Sequence, residues 1–325
     1  MSMSFDFTGK VVLVTGSSSG IGAATTLLFS KCGAQVVVTG RNQQNISRVA
    51  KECAEVSPKR LKPLEVVAKV VLVTGSSSGI GAATALLFSK CGAQVVVTGR
   101  NQQNISRVAK ECAEVSPKRL KPLEVVADVC KEDDCKRLIA STVKEFGKLD
   151  ILVNNVGATK SSNVYDDNYL ENYKWNLNTN LDSVVYMTHY SVTHLEKTKG
   201  IIINISGVKS AQTSRGMSAY SMTKVAVDMF TKSIAVELAD KGIRVNSIIC
   251  GAVKTEGLIH AGLTQQQSDA TFAALGAATP HGQPAKPSEI GYAVMYLCSD
   301  EASYVRGSNF VVDGGWLAAN TTYLP

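Results

Sequence analysis

Two side chains with complementary chemistry, Tyr220 and Lys224, lie four residues apart in AYSMTKVAVDMFTKSIAVELADKG, a stretch with a helical pattern. Residues four apart on a helix share a face, so the lysine ammonium would lie beside the phenol. A neighbouring positive charge favours the phenolate and lowers the pKa of a tyrosine. Such a phenol can donate a proton to a carbonyl oxygen or accept one from an alcohol. Because Tyr-Lys pairs are also common on exposed helix faces, this interpretation depends on the rest of the chain.

A glycine-rich run, TGSSSGIG, follows the apolar segment VVLV and opens a helical pattern. Its glycines let the backbone turn tightly and let a pyrophosphate approach, and a helix start offers free N–H groups and the positive end of its dipole. We therefore predict cofactor contacts from the loop residues Gly75, Ser77, Ser78, Gly79, Ile80 and Gly81.

The following strand ends in VVVTGRN, with Gly99 and Arg100 at the position where a carboxylate would bind the ribose 2′-hydroxyl of NAD. The forked guanidinium of an arginine suits a 2′-phosphate instead. The sequence therefore favours NADP(H), with NAD(H) as the alternative. Gly40 and Arg41 occupy the same place in an earlier copy of this segment.

That earlier copy is nearly perfect: residues 10–68 recur as residues 69–127 at an offset of 59, and the only difference is Thr26 against Ala85. The chain thus holds two glycine loops but one copy of everything that follows them. No turn residues separate LEVVA, which ends the first copy, from KVVLVTG, which begins the second. Neighbouring parallel strands need a crossover of a dozen or more residues, so both copies cannot enter one sheet in ordinary order.

We expect the second copy to occupy the sheet. Gly75 lies 79 residues before Asn154, whereas Gly16 lies 138 before it, and Asp128 follows the second copy alone. Use of the first copy would loop out the second, which costs about 3–4 kcal/mol plus a constant. The lead-in FDFTGK, however, precedes only the first copy. Which loop, Gly16–Gly22 or Gly75–Gly81, lies in the sheet is therefore left open, as is whether the repeat is real.

Short apolar runs alternate with helical patterns, as in a parallel sheet covered on both faces. Strands are expected near residues 70–74, 94–98, 123–127, 150–154, 201–205, 244–249 and 309–312, and a helix over 218–240 with Gly242 as its cap. The predicted fold is α/β, a doubly wound Rossmann-type parallel sheet with an extra N-terminal copy of its first strand-helix-strand-helix-strand segment. Residues 1–68 would be that copy, displaced or an artefact, and residues 69–325 the dinucleotide-binding and catalytic domain.

With VVLVTGSSSGIG, LVNNVG, YSMTK and VDGG in this order, the chain resembles the short-chain dehydrogenase/reductase family, in its compact single-domain branch of 3-oxoacyl-carrier-protein reductases and carbonyl reductases. The resemblance covers residues 69–325, and residues 5–68 again. It implies an oxidoreductase that transfers a hydride between NADP(H) and a small carbonyl or secondary-alcohol substrate. It also implies a homo-oligomer, a tetramer or dimer formed through the helices around Asn180 and Tyr220.

The resemblance implies a role for single residues as well. Asn180 would hold a water in a proton relay, and Tyr220 and Lys224 would act in catalysis and touch the cofactor. Further cofactor contacts would come from Asp128, Asn154, Gly157, Val253 and Thr255, of which Asp128 would contact the adenine and Thr255 the nicotinamide amide.

One position departs from the family pattern. A serine that hydrogen-bonds the substrate carbonyl is expected thirteen residues before the tyrosine, but Gly207 stands there. Ser206 would point to the opposite face of the strand unless a bulge re-aims it, and Ser210 is a second candidate. Loss of one oriented donor costs about 2.7–4 kcal/mol of transition-state stabilisation. The alternative function is therefore a nucleotide-binding protein with weak or no catalysis, a scaffold or sensor.

Other departures bear less on function. Cys250 replaces a proline before Gly251, which would either loosen the turn over the nicotinamide or place a harmless buried thiol there. Residues 257–286, which cover the substrate in this family, hold few charges and so do not indicate an acidic substrate or a carrier protein.

Composition excludes several classes of protein. Each copy of the repeat carries eight Lys/Arg and three Glu, so most of the net charge of +7 is the repeat counted twice, and we expect no nucleic-acid partner. The cysteines and the four histidines His189, His194, His260 and His281 lack metal-ligand spacing. The absence of an apolar run of about 18 residues predicts no membrane span. Reduced thiols and the lack of a signal-peptide pattern favour a cytoplasmic location.

Overall fold

A computed structural model describes residues 5–40, 42–57, 69–260 and 262–319, except for the side chain of His260. These residues form two compact units, one within residues 5–57 and one from residue 69 onward. The end of the first copy, with its expected third strand and Ala68, lies outside the described residues.

The N-terminal unit consists of β1 (Val11–Val14), α1 (Gly20–Lys31), β2 (Gln35–Val38) and α2 (Gln43–Val56). Its two strands pair in parallel. The Asn42 side chain caps α2 by accepting a hydrogen bond from the Asn45 N–H at 3.0 Å. The buried core is small and is formed by Ala23, Val49 and Cys53. Isolated two-stranded sheets are marginally stable, and this one leaves much of β1 in solvent.

The main unit holds a seven-stranded parallel sheet of β3 (Val70–Val73), β4 (Gln94–Gly99), β5 (Leu123–Val126), β6 (Ile151–Asn154), β7 (Ile201–Gly207), β8 (Arg244–Cys250) and β9 (Asn309–Val312). The strand order is β5-β4-β3-β6-β7-β8-β9, so the direction of winding reverses between β3 and β6. This confirms the predicted Rossmann-type sheet. Ligands in such sheets bind outside the carboxyl ends of the strands at this reversal point.

Helices connect the strands: α3 (Gly79–Lys90), α4 (Gln102–Val115), α5 (Glu132–Phe146), α6 (Tyr169–Leu177), α7 (Ser183–Thr198), α8 (Ser218–Glu237), α9 (Gly257–His260), α10 (Gln265–Ala277) and α11 (Pro287–Leu297). Helix α8 ends before residue 240, earlier than expected. The chain then turns through Gly242, whose φ of +73° is easily reached by glycine. Gly242 therefore ends this turn rather than capping the helix directly.

The repeat shows how strongly context determines burial. Leu72 of β3 is 0% exposed, whereas Leu13, at the same place in β1, is 63% exposed. Strand β3 pairs with β4 on one side and with β6 on the other, whereas among the described residues β1 pairs only with β2. Helix α11 also packs closely on α3, since a Cβ on Gly291 would lie 2.7 Å from Cδ1 of Leu87. The matching residue of α1, Leu28, is exposed.

Within the described part of the chain, no helix has both the length and the apolar character needed to cross a membrane. All eight cysteines are free thiols.

Candidate active site

The glycine loop between β3 and α3 needs its glycines for conformation and for space. Gly75 and Gly79 have φ values of +63° and +54°, which other residues rarely adopt. A Cβ on Gly81 would lie 2.4 Å from the carbonyl oxygen of Gly75, a distance that no side chain tolerates. The Ser78 side chain makes no capping hydrogen bond at the start of α3, so it leaves the N–H groups of the first helical turn to a ligand.

The residues that directly follow β6 form hydrogen bonds to Thr74, at the start of this loop. The Asn155 N–H donates to Thr74 Oγ1 at 2.9 Å, and Asn155 Nδ2 donates to the Thr74 carbonyl oxygen at 2.9 Å. The Val156 N–H also donates to Thr74 Oγ1, at 3.2 Å. Thr74 is 1% exposed as a result. In the N-terminal unit the equivalent Thr15 is exposed, because nothing in that unit corresponds to β6.

A cleft of about 760 Å³ lies at the carboxyl ends of β3, β4, β5 and β6. It is lined by nine of the residues for which a cofactor contact was predicted, namely Gly75, Ser77, Ser78, Gly79, Ile80, Arg100, Asp128, Gly157 and Thr255. Asn155, which lies in the LVNNVG motif, lines it as well. No motif marks the further lining residues Asn104, Cys130, Trp175, Asn178 and Thr179, because they come from helices and turns that reach the cleft only in the folded sheet.

Five predicted cofactor contacts are not among the residues that line the cleft, namely Gly81, Asn154, Tyr220, Lys224 and Val253. Asn154 is 2% exposed, and its Nδ2 donates to Asn204 Oδ1 at 2.9 Å inside the sheet. The cleft is lined instead by Asn155, the residue that follows. Val253 is also buried and forms a parallel bridge with Ala285, which anchors the segment after β8. The structure therefore gives the side chains of Asn154 and Val253 roles in packing.

Arg100 lies at the mouth of the cleft, exposed, directly after β4. Within the described residues no carboxylate forms an ion pair with it. Arg107, by contrast, pairs with Glu111 at 2.8 Å. Arg41, the counterpart of Arg100 in the first copy, lies outside the described residues.

Asn180 lies in a π-helical turn, Asn178–Asp182, between α6 and α7. Such turns are frequent at functional sites. Its Oδ1 accepts from the Ala158 N–H at 3.0 Å, and its Nδ2 donates to the carbonyl oxygens of Ala158 and Asn176 at 2.9 and 3.0 Å. These bonds hold the amide against the end of β6, beside the cleft.

Gly157 brings this amide together with the lysine of α8. A Cβ on Gly157 would lie 3.2 Å from Asn180 Oδ1 and 3.1 Å from Lys224 Nζ. Lys224 is 3% exposed, and its ammonium donates to the Ile205 carbonyl oxygen at 3.0 Å. Its Nζ lies 5.6 Å from the centroid of the Tyr220 ring. The three residues predicted to act in catalysis therefore lie close together, next to Gly157, which lines the cleft.

The electrostatics of this group differ from the expectation. Burial, and after it the thiol of Cys250, raise the pKa of the Tyr220 phenol above its ordinary value instead of lowering it. Burial lowers the pKa of Lys224. The reason is that burial disfavours both charged forms, and the lysine ammonium makes its hydrogen bond to a backbone carbonyl. Tyr220 is therefore held as a neutral phenol.

Gly207 faces the tyrosine hydroxyl, as the thirteen-residue spacing predicted. A Cβ built on it would lie 3.6 Å from Tyr220 Oη and 3.7 Å from the Cys250 carbonyl oxygen, both ordinary contact distances. Its backbone is extended, so any residue fits there. Ser206 does not replace the missing hydroxyl: β7 and β8 stay in register through Gly207 without a bulge, and Ser206 Oγ donates to the Lys224 carbonyl oxygen at 3.5 Å.

Two further side chains in this region are Cys250 and Ser210. The Cys250 thiol donates to the Ser206 carbonyl oxygen at 3.1 Å, and burial raises its pKa, so it is a neutral thiol between β7 and β8. Ser210 Oγ is buried without a hydrogen-bond partner. Among the described residues, no group of three or more His, Cys, Asp or Glu side chains has a geometry that holds a metal ion.

Comparison with known proteins agrees with this geometry. Residues 75–317 match the family model described as enoyl-(acyl carrier protein) reductase, and residues 10–66 match the short chain dehydrogenase model. The 3-oxoacyl-(acyl-carrier-protein) reductase of Thermotoga maritima is 33% identical over 250 residues, which is 76% of this chain and 97% of that protein. Cyclohexanol dehydrogenase of Acinetobacter sp. is 33% identical over 249 residues, 76% of this chain and 94% of the relative.

A solved structure is similar as well. It is a short-chain dehydrogenase/reductase of unknown function from Caenorhabditis elegans, determined with cofactor, at 35% identity and a TM-score of 0.73. The match covers 79% of this chain and 98% of that one. The glycine loop, the braced cleft, the Tyr-Lys pair and these matches lead to one conclusion: the chain belongs to the short-chain dehydrogenase/reductase family.

Proposed function

We propose that this chain is an NADP(H)-dependent oxidoreductase that interconverts a carbonyl group and a secondary alcohol on a small molecule. The observation that carries the proposal is that Lys224 lies between Asn180 and Tyr220, next to Gly157, which lines the same cleft as the glycine loop. Relatives named as an alcohol dehydrogenase and as an oxoacyl reductase support this type of reaction.

The residues of the cleft fit a dinucleotide. Its volume of about 760 Å³ is in the range of cofactor sites. The loop offers a cradle that a Cβ on Gly81 would fill, and the start of α3 offers N–H groups to a pyrophosphate. The bound cofactor would supply or accept the hydride. The protein would position the cofactor and the substrate and would supply the proton.

Tyr220 is the proposed proton donor. A tyrosine phenol is protonated at neutral pH, and burial raises the pKa of Tyr220 further. The protonated phenol is the form that a carbonyl reduction consumes at the carbonyl oxygen. Lys224 and Asn180 hold the space beside Gly157 through bonds to the backbone and so fix the end of the cleft where the reacting carbon would lie.

A homo-oligomer and a cytoplasmic location are parts of the same proposal. One side of α8 exposes Met222, Val225, Met229 and Val236, an apolar stripe that a second copy of the chain would cover. Sedimentation velocity that shows only a monomer would exclude this.

The free thiols support a reducing compartment. Subcellular fractionation that finds the protein outside the cytoplasm would exclude the location.

The first prediction concerns Tyr220. Tyr220→Phe removes only the hydroxyl, so we expect turnover of ketones to fall about 10²- to 10⁴-fold because the proton donor is lost. The Kd for NADPH should change little, since the glycine loop is untouched. Steady-state kinetics and calorimetry measure the two quantities. Undiminished turnover would remove Tyr220 from the chemistry.

A second prediction tests the preference for NADP(H). Replacement of the unpaired cation in Arg100→Ser should reduce the ratio of NADH to NADPH dissociation constants by about 10- to 100-fold, because a charge-assisted hydrogen bond to the 2′-phosphate is lost. Arg41→Ser makes the same change in the first copy and should leave the ratio unchanged. A wild-type protein that binds NADH as tightly as NADPH would refute the assignment.

A third prediction tests which copy forms the site, on the proposal that residues 69–325 are the functional domain and residues 1–68 are not. Gly81→Val places a side chain against the Gly75 carbonyl and should abolish NADPH binding. Gly22→Val makes the identical change in the first copy and should leave binding intact. Calorimetric titration of both variants measures this. Loss of binding in Gly22→Val alone would assign the site to the first copy.

Gly207 favours a second candidate function, a nucleotide-binding protein with weak or no catalysis. A serine fits there, so Gly207→Ser should raise kcat/KM by up to about 10²- to 10³-fold by restoring a donor to the substrate oxygen. Gly207→Ala, which adds the Cβ without the hydroxyl, is the control. An inactive protein that gains nothing from Gly207→Ser supports the scaffold or sensor. An active protein that gains nothing has another donor in place of the serine.

A further inference from the structure

Lys209 lies two residues after Gly207, in the 3₁₀ turn Val208–Ser210 that follows β7. Its side chain is half-buried, and its ammonium lies 5.7 Å from the centroid of the Trp316 ring. A cation at this distance from an indole is attracted by the electrons of the ring. The contact places the lysine over the Trp316 ring instead of in open solvent.

The tryptophan is itself fixed in an apolar cluster. Val208, Ile249 and Trp316 pack together, and Leu275 and Ala278 of the α10 region pack against them. Trp316 Nε1 donates to Gln212 Oε1 at 2.5 Å. The cluster thus joins the ends of β7 and β8, the segment after β9, and the residues that cover the substrate in this family. Lys209 lies on this cluster at the carboxyl-end edge of the sheet, where ligands bind.

No carboxylate of the described residues forms an ion pair with Lys209. Lys254, at the same edge of the sheet, pairs with Asp269 at 2.7 Å, and Lys160, which also lies over a tryptophan, has Glu171 at 3.9 Å. Partial burial of an unpaired ammonium is unfavourable, and here it lowers the pKa of Lys209. An anion from outside the described chain would satisfy this charge.

The lysine also lies close to the reacting groups. The Cβ position of Gly207 is 3.6 Å from Tyr220 Oη. Two residues of chain span at most about 7.6 Å between Cα atoms, so the Cα of Lys209 lies no more than about 13 Å from the Tyr220 hydroxyl. A substrate with its carbonyl at Tyr220 would therefore reach the ammonium with a group several bonds away.

We propose that Lys209 binds a carboxylate of the substrate, so that the preferred substrates are oxo acids or hydroxy acids with the carboxylate a few carbons from the reacting carbon. This rests on the proposed function. A carboxylate is favoured over a phosphate because its single charge matches that of one ammonium, whereas a phosphate group carries about −1.5 to −2 at pH 7. Residues 257–286 hold few charges and gave no sign of an acidic substrate. In this proposal the positive charge that binds the substrate comes instead from Lys209, in the turn after β7.

The experiment compares two matched ketones, 4-oxocyclohexanecarboxylate and 4-methylcyclohexanone, with NADPH. The wild type should prefer the acid, and Lys209→Met should reduce the ratio of the two kcat/KM values about 10- to 100-fold, mostly through KM. Lys144→Met removes an exposed lysine of α5 and should leave the ratio unchanged. Lys209→Arg keeps the charge and should retain part of the preference.

A binding measurement separates the two proposals. Calorimetry with cyclohexanecarboxylate, in the presence of NADP⁺, should show binding to the wild type that Lys209→Met weakens about 10-fold or more. An unchanged ratio of kcat/KM in Lys209→Met, or a wild-type preference for the neutral ketone, would overturn the role of Lys209 and leave the oxidoreductase standing. Turnover of neither ketone, with carboxylate binding that depends on Lys209, would overturn the oxidoreductase alone. Carboxylate binding independent of Lys209 would overturn the carboxylate site.

Discussion

The pairing of β3 with β6 is the interaction on which the site depends. The same sequence, VVLVTGSSSGIG, begins at β1 and at β3, yet in the part of the chain that the structure describes only β3 has a strand on both edges. With β6 in place, Leu72 is fully buried and Thr74 ties the glycine loop to Asn155. Without it, Leu13 is exposed in the N-terminal unit. A glycine loop is thus only part of a nucleotide site, and the strand beside it completes the cleft.

The chemistry follows from the same arrangement. Because β6 ends beside the loop, Gly157 lies at the cleft, and its missing side chain leaves room for Asn180 and Lys224 to approach. Burial in this corner keeps Tyr220 a neutral phenol. The position opposite, Gly207, leaves the tyrosine hydroxyl without the neighbouring donor that the family normally has. In our proposal Lys209, the cation in the turn after β7, orients the substrate in place of that donor.

Much of this could be predicted from the sequence, because the signals were local. Apolar runs located the seven strands of the main sheet, glycines marked the loop, and residue spacing placed Gly207 opposite Tyr220. What the sequence could not show depended on packing. Asn154 turns into the sheet and Asn155 to the cleft, a choice set by neighbouring strands. The raised pKa of Tyr220 reflects burial, which spacing does not report. Lys209 belongs to no motif, and it stands out only because no carboxylate of the described residues forms an ion pair with it.

We propose that the two copies of the glycine loop make a single nucleotide site, because, of the two copies' first strands, only β3 pairs with β6. The most direct test is the stoichiometry of NADPH binding to the full chain, measured by isothermal titration calorimetry against the concentration of active, folded protein. We expect one cofactor per chain. Two cofactors per chain would show that the first copy also forms a complete site, without a strand in the place of β6.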